Sequence, residues 1–238
     1  MDTNTLSEKD LVLVTGFGPF GAHSVNASWE AVKLLPALGL DEEFKIRLVI
    51  REIPVEYDYI QENIPKLWDT FKPKLTVHVG VSGVTSEVCL EQQGFNSGYN
   101  KPDVKNKTPL LLNSRLDQEL LNNSLCKDGV CVKGGPQCIV SDINMGLVCE
   151  ELNSNSELVS CVSRDPGRYL CDFTYYSSLH IDQSRTAFIH VPPLDKPYSA
   201  QQLAQMLKLA IRSMLSQVRS NDSLLLTGQL ESIADNML

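Results

Sequence analysis

Three stretches of the sequence hold side chains suited to nucleophilic chemistry. In SRDPGRYLCDFTYY (163–176) a strand ends, Asp165-Pro166-Gly167 turns the chain, and Cys171 falls near the first turn of the next helix. A thiol there meets the positive end of the helix dipole, which favours the thiolate. The same turn leaves backbone N–H groups open to receive an oxyanion. Cys89, Cys149 and Cys161 sit inside apolar runs, where cysteine is most often buried and inert. A thiol nucleophile also needs a base. His190 closes the strand-like AFIHVPP one helix later, and His78 inside TVHVG is its rival. A histidine among apolar neighbours is more often a satisfied core residue, so neither is assigned by context alone. The carboxylate that orients an imidazole could be Glu91 in CLEQQGFNSGYN or Glu87 just before it. For both, a solvated loop acid is the default expectation.

A fourth motif points elsewhere. Residues 16–21 read GFGPFG, which satisfies the G-x-G-x-x-G spacing of dinucleotide-binding loops. That fingerprint needs a helix beginning beside the third glycine, with N–H groups facing a pyrophosphate. Here the helix cannot start before about Asn26, Pro19 offers no N–H, and Phe17 and Phe20 fill the space between glycines. Asp41, Glu42 and Glu43 lie near the distance of a ribose-binding acid but precede the second strand rather than end it. An NAD-dependent oxidoreductase therefore rests on glycine spacing alone. What the loop can do is hold two phenyl rings at the carboxyl edge of a sheet, either as core or as an apolar slot for an uncharged ligand.

The elements that must position these groups alternate along the chain. LVLVTG (11–16), FKIRLVIREIPV (44–55), LTVHVGVSG (75–83), ELVSCVSR (157–164) and RTAFIHVPP (185–193) read as strands. Helices are expected over 27–38 with Asn26 as N-cap, over 57–71 with Pro65 kinking or breaking it, from about Asn144, and over 170–181. A last helix follows the Ser199/Gln202 capping box, with one apolar face from Leu203 to Val218. Residues 95–138 read as long loops, and 219–238 carries no pattern. Strand–helix alternation implies a parallel or mixed sheet covered on both faces.

With 238 residues, 42% of them hydrophobic, the chain can bury one sizeable core. A net charge of −8 excludes a general attraction to nucleic acid or anionic membranes, and no apolar run is long enough to span a bilayer. The polar, acidic start resembles no targeting peptide, so a cytosolic location is expected. Seven cysteines, an odd number, then read as free thiols. Cys126, Cys131 and Cys138 have the wrong spacing for a zinc site.

Together these residues resemble the pyroglutamyl-peptidase I family, the cytosolic cysteine exopeptidases. The resemblance rests on TGFGPFG followed by VNASWEAV, REIPVEY, HVGVSG followed by LEQQGFNSGY, GRYLCDFTYYSSL, and FIHVPPLDKPYSAQQL. It runs from about residue 11 to about 218 and is closest to the vertebrate form, leaving 1–10 and 219–238 as tails. It implies a single-domain three-layer α/β/α sandwich with a mixed, mostly parallel sheet. It also implies removal of an N-terminal pyroglutamyl residue through a thioester, with Glu91, Cys171 and His190 as the triad and Phe17 and Phe20 in the substrate pocket. The implied partners are small pyroglutamyl peptides, with no metal or cofactor beyond a reduced thiol; a monomer is expected, with an oligomer left open. Pro166 departs from the family, which usually has a small residue such as alanine there. Proline fixes its own φ and biases Asp165 away from helical geometry. That departure motivates a second expectation, a pyroglutamyl-peptide binding protein of weak or no activity.

Overall fold

The computed structural model describes residues 9–21, 24–109 and 129–235. Residues 1–8 of the N-terminal tail, and 122–128 of the cysteine-containing loop with Cys126, lie outside the described residues. A six-stranded sheet runs through the centre in the order β2 (Ile46–Ile53), β1 (Asp10–Phe17), β3 (Leu75–Val81), β8 (Thr186–Val191), β4 (Val88–Glu91), β7 (Ser160–Ser163). The first four strands are mutually parallel. β4 runs antiparallel to β8 and parallel to β7. A separate antiparallel pair joins β5 (Gln93–Phe95) to β6 (Cys138–Val140).

Side-chain alternation along the strands divides the interior into two layers. On one face α1 (Ala27–Val32), α4 (Met145–Asn155) and α6 (Ala200–Asp235) cover Val77, Val79, Leu90 and Ile189. On the other, α3 (Tyr57–Phe71) and α5 (Leu170–Ile181) pack over Phe17, Ile53 and Phe188. The architecture is thus a single α/β/α sandwich with a mixed, mostly parallel sheet.

Most elements lie where sequence periodicity places them, and the departures have physical reasons. The first helix stops at Val32 and resumes as a 3₁₀ turn over Leu35–Leu38, with Pro36 in its first turn, before the single turn of α2 (Leu40–Glu43). Pro65, by contrast, does not break α3. It lies on the exposed side, where the carbonyl it leaves unbonded can face water, while Tyr57, Ile60, Ile64 and Trp68 keep one buried stripe. The Asn26 cap forms, its side chain accepting from the Ser28 N–H at 3.1 Å. Ser199 and Gln202 form the expected reciprocal bonds ahead of α6.

Two features were not anticipated. β4 and β5 are too short to show a period, and they carry Glu91 in a strand rather than a solvated loop. The last helix also continues past Val218 to Asp235, so the fold has no break at the start of the unpatterned stretch. Arg219 there pairs with Asp10 at 2.8 Å and donates to the Phe44 carbonyl at 3.0 Å. Asp222 pairs with both Lys74 and Arg185. These contacts tie the far half of α6 to the amino ends of β1, β3 and β8. The ion pairs are a quarter to two-fifths exposed, so solvent screens them. Asp222→Ala is expected to lower unfolding free energy by about 1 kcal/mol at low ionic strength and by less in molar salt, measured by urea titration.

Candidate active site

The site forms over the centre of the sheet, where β3, β8 and β4 meet α5. Local sequence dictates the start of that helix. The Asp165 side chain accepts from the Gly167 N–H at 3.1 Å, closing a turn whose last residue, Gly167, has φ +77°. Pro166 is buried within this turn and compatible with it. Arg168 then pairs with Asp165 at 2.7 Å and with Asp172 at 3.3 Å, and its guanidinium lies 3.8 Å from the centre of the Phe95 ring. Leu170 opens α5, with Cys171 as its second residue. The preceding Tyr169 makes no side-chain cap. The first-turn N–H groups beside Cys171 therefore receive no bond from a capping side chain.

His190 lies one residue from the end of the wholly buried β8 and is 6% exposed; Glu91 ends β4 and is 2% exposed. Because β4 runs antiparallel to β8, Cys89 lies opposite His190 and Glu91 opposite Phe188. Glu91 and His190 thus sit diagonally on one face, and His190 Nδ1 meets Glu91 Oε1 at 2.7 Å. The second nitrogen is left for Cys171, which interacts electrostatically with the same imidazole. Burial alone would push His190 down. The negative charge of Cys171, its hydrogen bond, and the hydrogen bond and charge of Glu91 together push it up to about 10. The arrangement favours the imidazolium form of His190. Tyr175 steadies the acid from α5 by donating to the Glu91 carbonyl at 2.8 Å.

The rivals are separated by geometry. His78 is fully buried on β3, with Thr15 Oγ1 at 2.7 Å from Nδ1 and Ser178 Oγ at 2.7 Å from Nε2. Burial pushes its pKa down to about 3, so it is a neutral strut between β1, β3 and α5. Glu87 lies on the loop before β4 and makes its contacts with Thr85 and Cys161 rather than with His190.

The GFGPFG loop finds an explanation in packing. A Cβ on Gly16 would stand 2.9 Å from the Trp29 Cα, so this glycine lets α1 lie directly against β1. Asn26 Oδ1 occupies the Ser28 N–H, and Asn26 Nδ2 donates to the Gly18 carbonyl at 2.9 Å. These caps turn the loop onto α1 rather than around a phosphate. Phe17 is buried in the core cluster beneath α3 and α5. Phe20 is half-buried and packs against that cluster, as do Tyr169 and Cys171. The two rings and the thiol therefore share one apolar neighbourhood.

Two site residues escaped the sequence reading. Gly80 on β3 pairs in register with His190, and a Cβ there would come within 2.8 Å of Cys171 Sγ and of Phe188 Cζ. Its signal lay in HVGVSG, as a glycine inside a buried strand, which marks a close approach. Asp172, next to the thiol, is fully buried and accepts from the Phe95 N–H at 3.0 Å. Burial pushes it up to about 7 against the opposing pull of that N–H and of Arg168. Among the described residues no cluster of three His, Cys, Asp or Glu side chains could hold a metal ion.

Known proteins resemble the chain in sequence and in fold. A family model described as pyroglutamyl peptidase matches residues 10–220. The chain is 46% identical over 212 residues to human pyroglutamyl-peptidase 1, covering 89% of this chain and 92% of that protein. It is 28% identical to the pyrrolidone-carboxylate peptidase of Thermococcus onnurineus, covering 83% and 93%. The crystal structure of Bacillus amyloliquefaciens pyroglutamyl peptidase I superposes with a TM-score of 0.71 at 23% identity, over 88% of this chain and 98% of that one. A mutant pyrrolidone carboxyl peptidase from Pyrococcus furiosus gives 0.71 at 22% identity, over 87% and 99%. These two structures share the fold.

Gly80→Ala tests the packing under the thiol. A methyl group there must displace either the sulfur or the Phe188 ring, and a shift near 1 Å can cost about 100-fold in rate. Alkylation of Cys171 by iodoacetamide is expected to slow markedly while the melting temperature falls only a few degrees.

Proposed function

The chain belongs to the pyroglutamyl peptidase family, and we propose that it is a cysteine exopeptidase hydrolysing the amide bond after an N-terminal pyroglutamyl residue. One observation carries the reading. A thiol at an uncapped helix start shares a buried imidazole with a carboxylate held at 2.7 Å. The apolar surround of Phe17 and Phe20 suits an uncharged lactam.

His190, held by Glu91, takes the proton of Cys171. The thiolate attacks the pyroglutamyl carbonyl, and the first-turn N–H groups of α5 receive the oxyanion. His190 then protonates the leaving amine, and the peptide departs, leaving a thioester on Cys171. Water, activated by the now neutral imidazole, attacks the thioester carbonyl. Collapse releases pyroglutamate and restores the thiol. The sequence of steps draws on no metal or organic cofactor and on a reduced thiol only. Six cysteines among the described residues are free, which suits a reducing cytosol.

A catalytically degenerate binding protein is not favoured. Its motive was Pro166, and the turn that holds this proline still delivers Cys171 to the helix start. Release of a fluorophore from a pyroglutamyl amide, at neutral pH with dithiothreitol, tests the choice. Turnover by the wild type that falls by at least about 10³-fold in Cys171→Ala is expected. Tight binding of a pyroglutamyl peptide with no turnover would instead favour the binder.

The acid has its own signature. With His190 raised to about 10, its imidazolium should persist well above neutrality, and kcat/KM should fall only as the imidazolium deprotonates. Glu91→Gln removes a charge that raises it. The basic limb of the pH–rate profile should therefore move to lower pH, toward the ordinary histidine value of about 6.5, as measured by kcat/KM from pH 5 to 10.5.

A further inference from the structure

Beside the active site lies a pair of thiols that the hydrolysis does not use. Cys89 on β4 and Cys161 on β7 are register partners in neighbouring parallel strands, and their sulfurs lie 3.3 Å apart. Both are free and half-buried. The strands alternate so that both thiols sit on the face that carries Glu91 and His190, and Cys89 stands directly opposite His190. Cys131 and Cys149 are placed differently, hydrogen-bonded to Ser177 and to Ser160.

Adjacent strands lie about 4.8 Å apart, inside the Cα separation a disulfide accepts, so the sulfurs need only close by roughly 1.2 Å to bond. β7 is the outermost strand of the sheet, and Asn153 holds Ser160 on its other side, so the closure falls chiefly to the two cysteine side chains. Cys161 donates to Cys89, and its thiol is pushed up by burial, by Cys89 and by Glu87. Cys161 thus keeps its proton, and Cys89 is the sulfur positioned to react first.

We propose that Cys89 and Cys161 form a redox-active dithiol that hydroperoxides close into a cross-strand disulfide, slowing turnover through His190. The Cys89 sulfur attacks one oxygen of hydrogen peroxide, forming a sulfenic acid and releasing water. The Cys161 sulfur then attacks the sulfenic sulfur and expels the second water. Two thiols lose two electrons and two protons, and the peroxide is reduced to two waters. A thiol reductant reverses the bond by exchange. Drawing Cys89 toward β7 pulls β4 at the position facing His190, two residues before Glu91.

The chemical arm of the test does not depend on the hydrolase reading, which enters only through the rate. Cys171→Ala protein, which lacks the competing active-site thiol, is treated with stoichiometric hydrogen peroxide. The expected result is loss of two hydrogens by mass and a linked peptide joining Cys89 to Cys161. A melting temperature raised by several degrees should follow, since the bond bridges residues 72 positions apart. Dithiothreitol should reverse all three changes, and Cys161→Ser or Cys161→Ala on that background should abolish them. Wild type and Cys161→Ser are then poised in glutathione buffers. The wild-type rate should fall several-fold in step with the linked fraction, while Cys161→Ser loses far less at the same poise. Oxidation of the two cysteines to separate oxygen adducts, with no linked peptide, would overturn the proposal. A complete disulfide with an unchanged rate would overturn its coupling to His190.

Discussion

The structure turns on a carboxylate and an imidazole enclosed together, Glu91 against His190 at 2.7 Å with both side chains almost wholly buried. A charge this far from water survives only when paired, and removing one partner of such a pair typically costs about 3–5 kcal/mol. The mixed sheet makes the pairing possible. Parallel strands deliver β1, β3 and β8 with their carboxyl ends at one edge, but only a reversed β4 sets an acid diagonally across from His190. Tyr175 fastens the Glu91 backbone to α5, so the helix that brings the thiol also braces the acid.

The thiol end of the arrangement depends on space as much as on charge. Cys171 needs a gap over β3, and Gly80 provides it by having no side chain to fill it. Below that point the buried chain Thr15–His78–Ser178, which Trp68 joins at 3.0 Å from Ser178, holds β1, β3, α3 and α5 in register. The Arg168 guanidinium, seated between Asp165, Asp172 and the Phe95 ring, fixes the turn ahead of the nucleophile. A proline in that turn is tolerated because the Asp165 side chain, rather than a helical backbone, closes it.

Much of this was legible in the residues. The α5 helix over 170–181, the β8 strand with His190 near its end, and the helix over 57–71 follow from periodicity and flanking turn residues, and they are found there. The glycine loop could be read as unsuited to a nucleotide from Pro19 and the late helix start. Harder to see was the location of the acid. VCLE is four residues long, too short for a period to separate strand from loop, and its burial comes from strands far away in sequence. The choice between Glu91 and Glu87, and between His190 and His78, depended on which strand lies beside which. No local pattern encodes strand order or direction. The long reach of α6 was hidden for a related reason, because just past Val218 Arg219 and Asp222 form ion pairs with residues distant in sequence.

Cys171 and Glu91 jointly hold His190 as a cation well above its ordinary range. Titration of the His190 ring by NMR, with isotope-labelled histidine, in wild type and in Cys171→Ala measures this directly. In the wild type the imidazolium is expected to persist until about pH 10, with a clearly lower midpoint once the thiol is gone. A ring titrating near 6.5 in both proteins would contradict it.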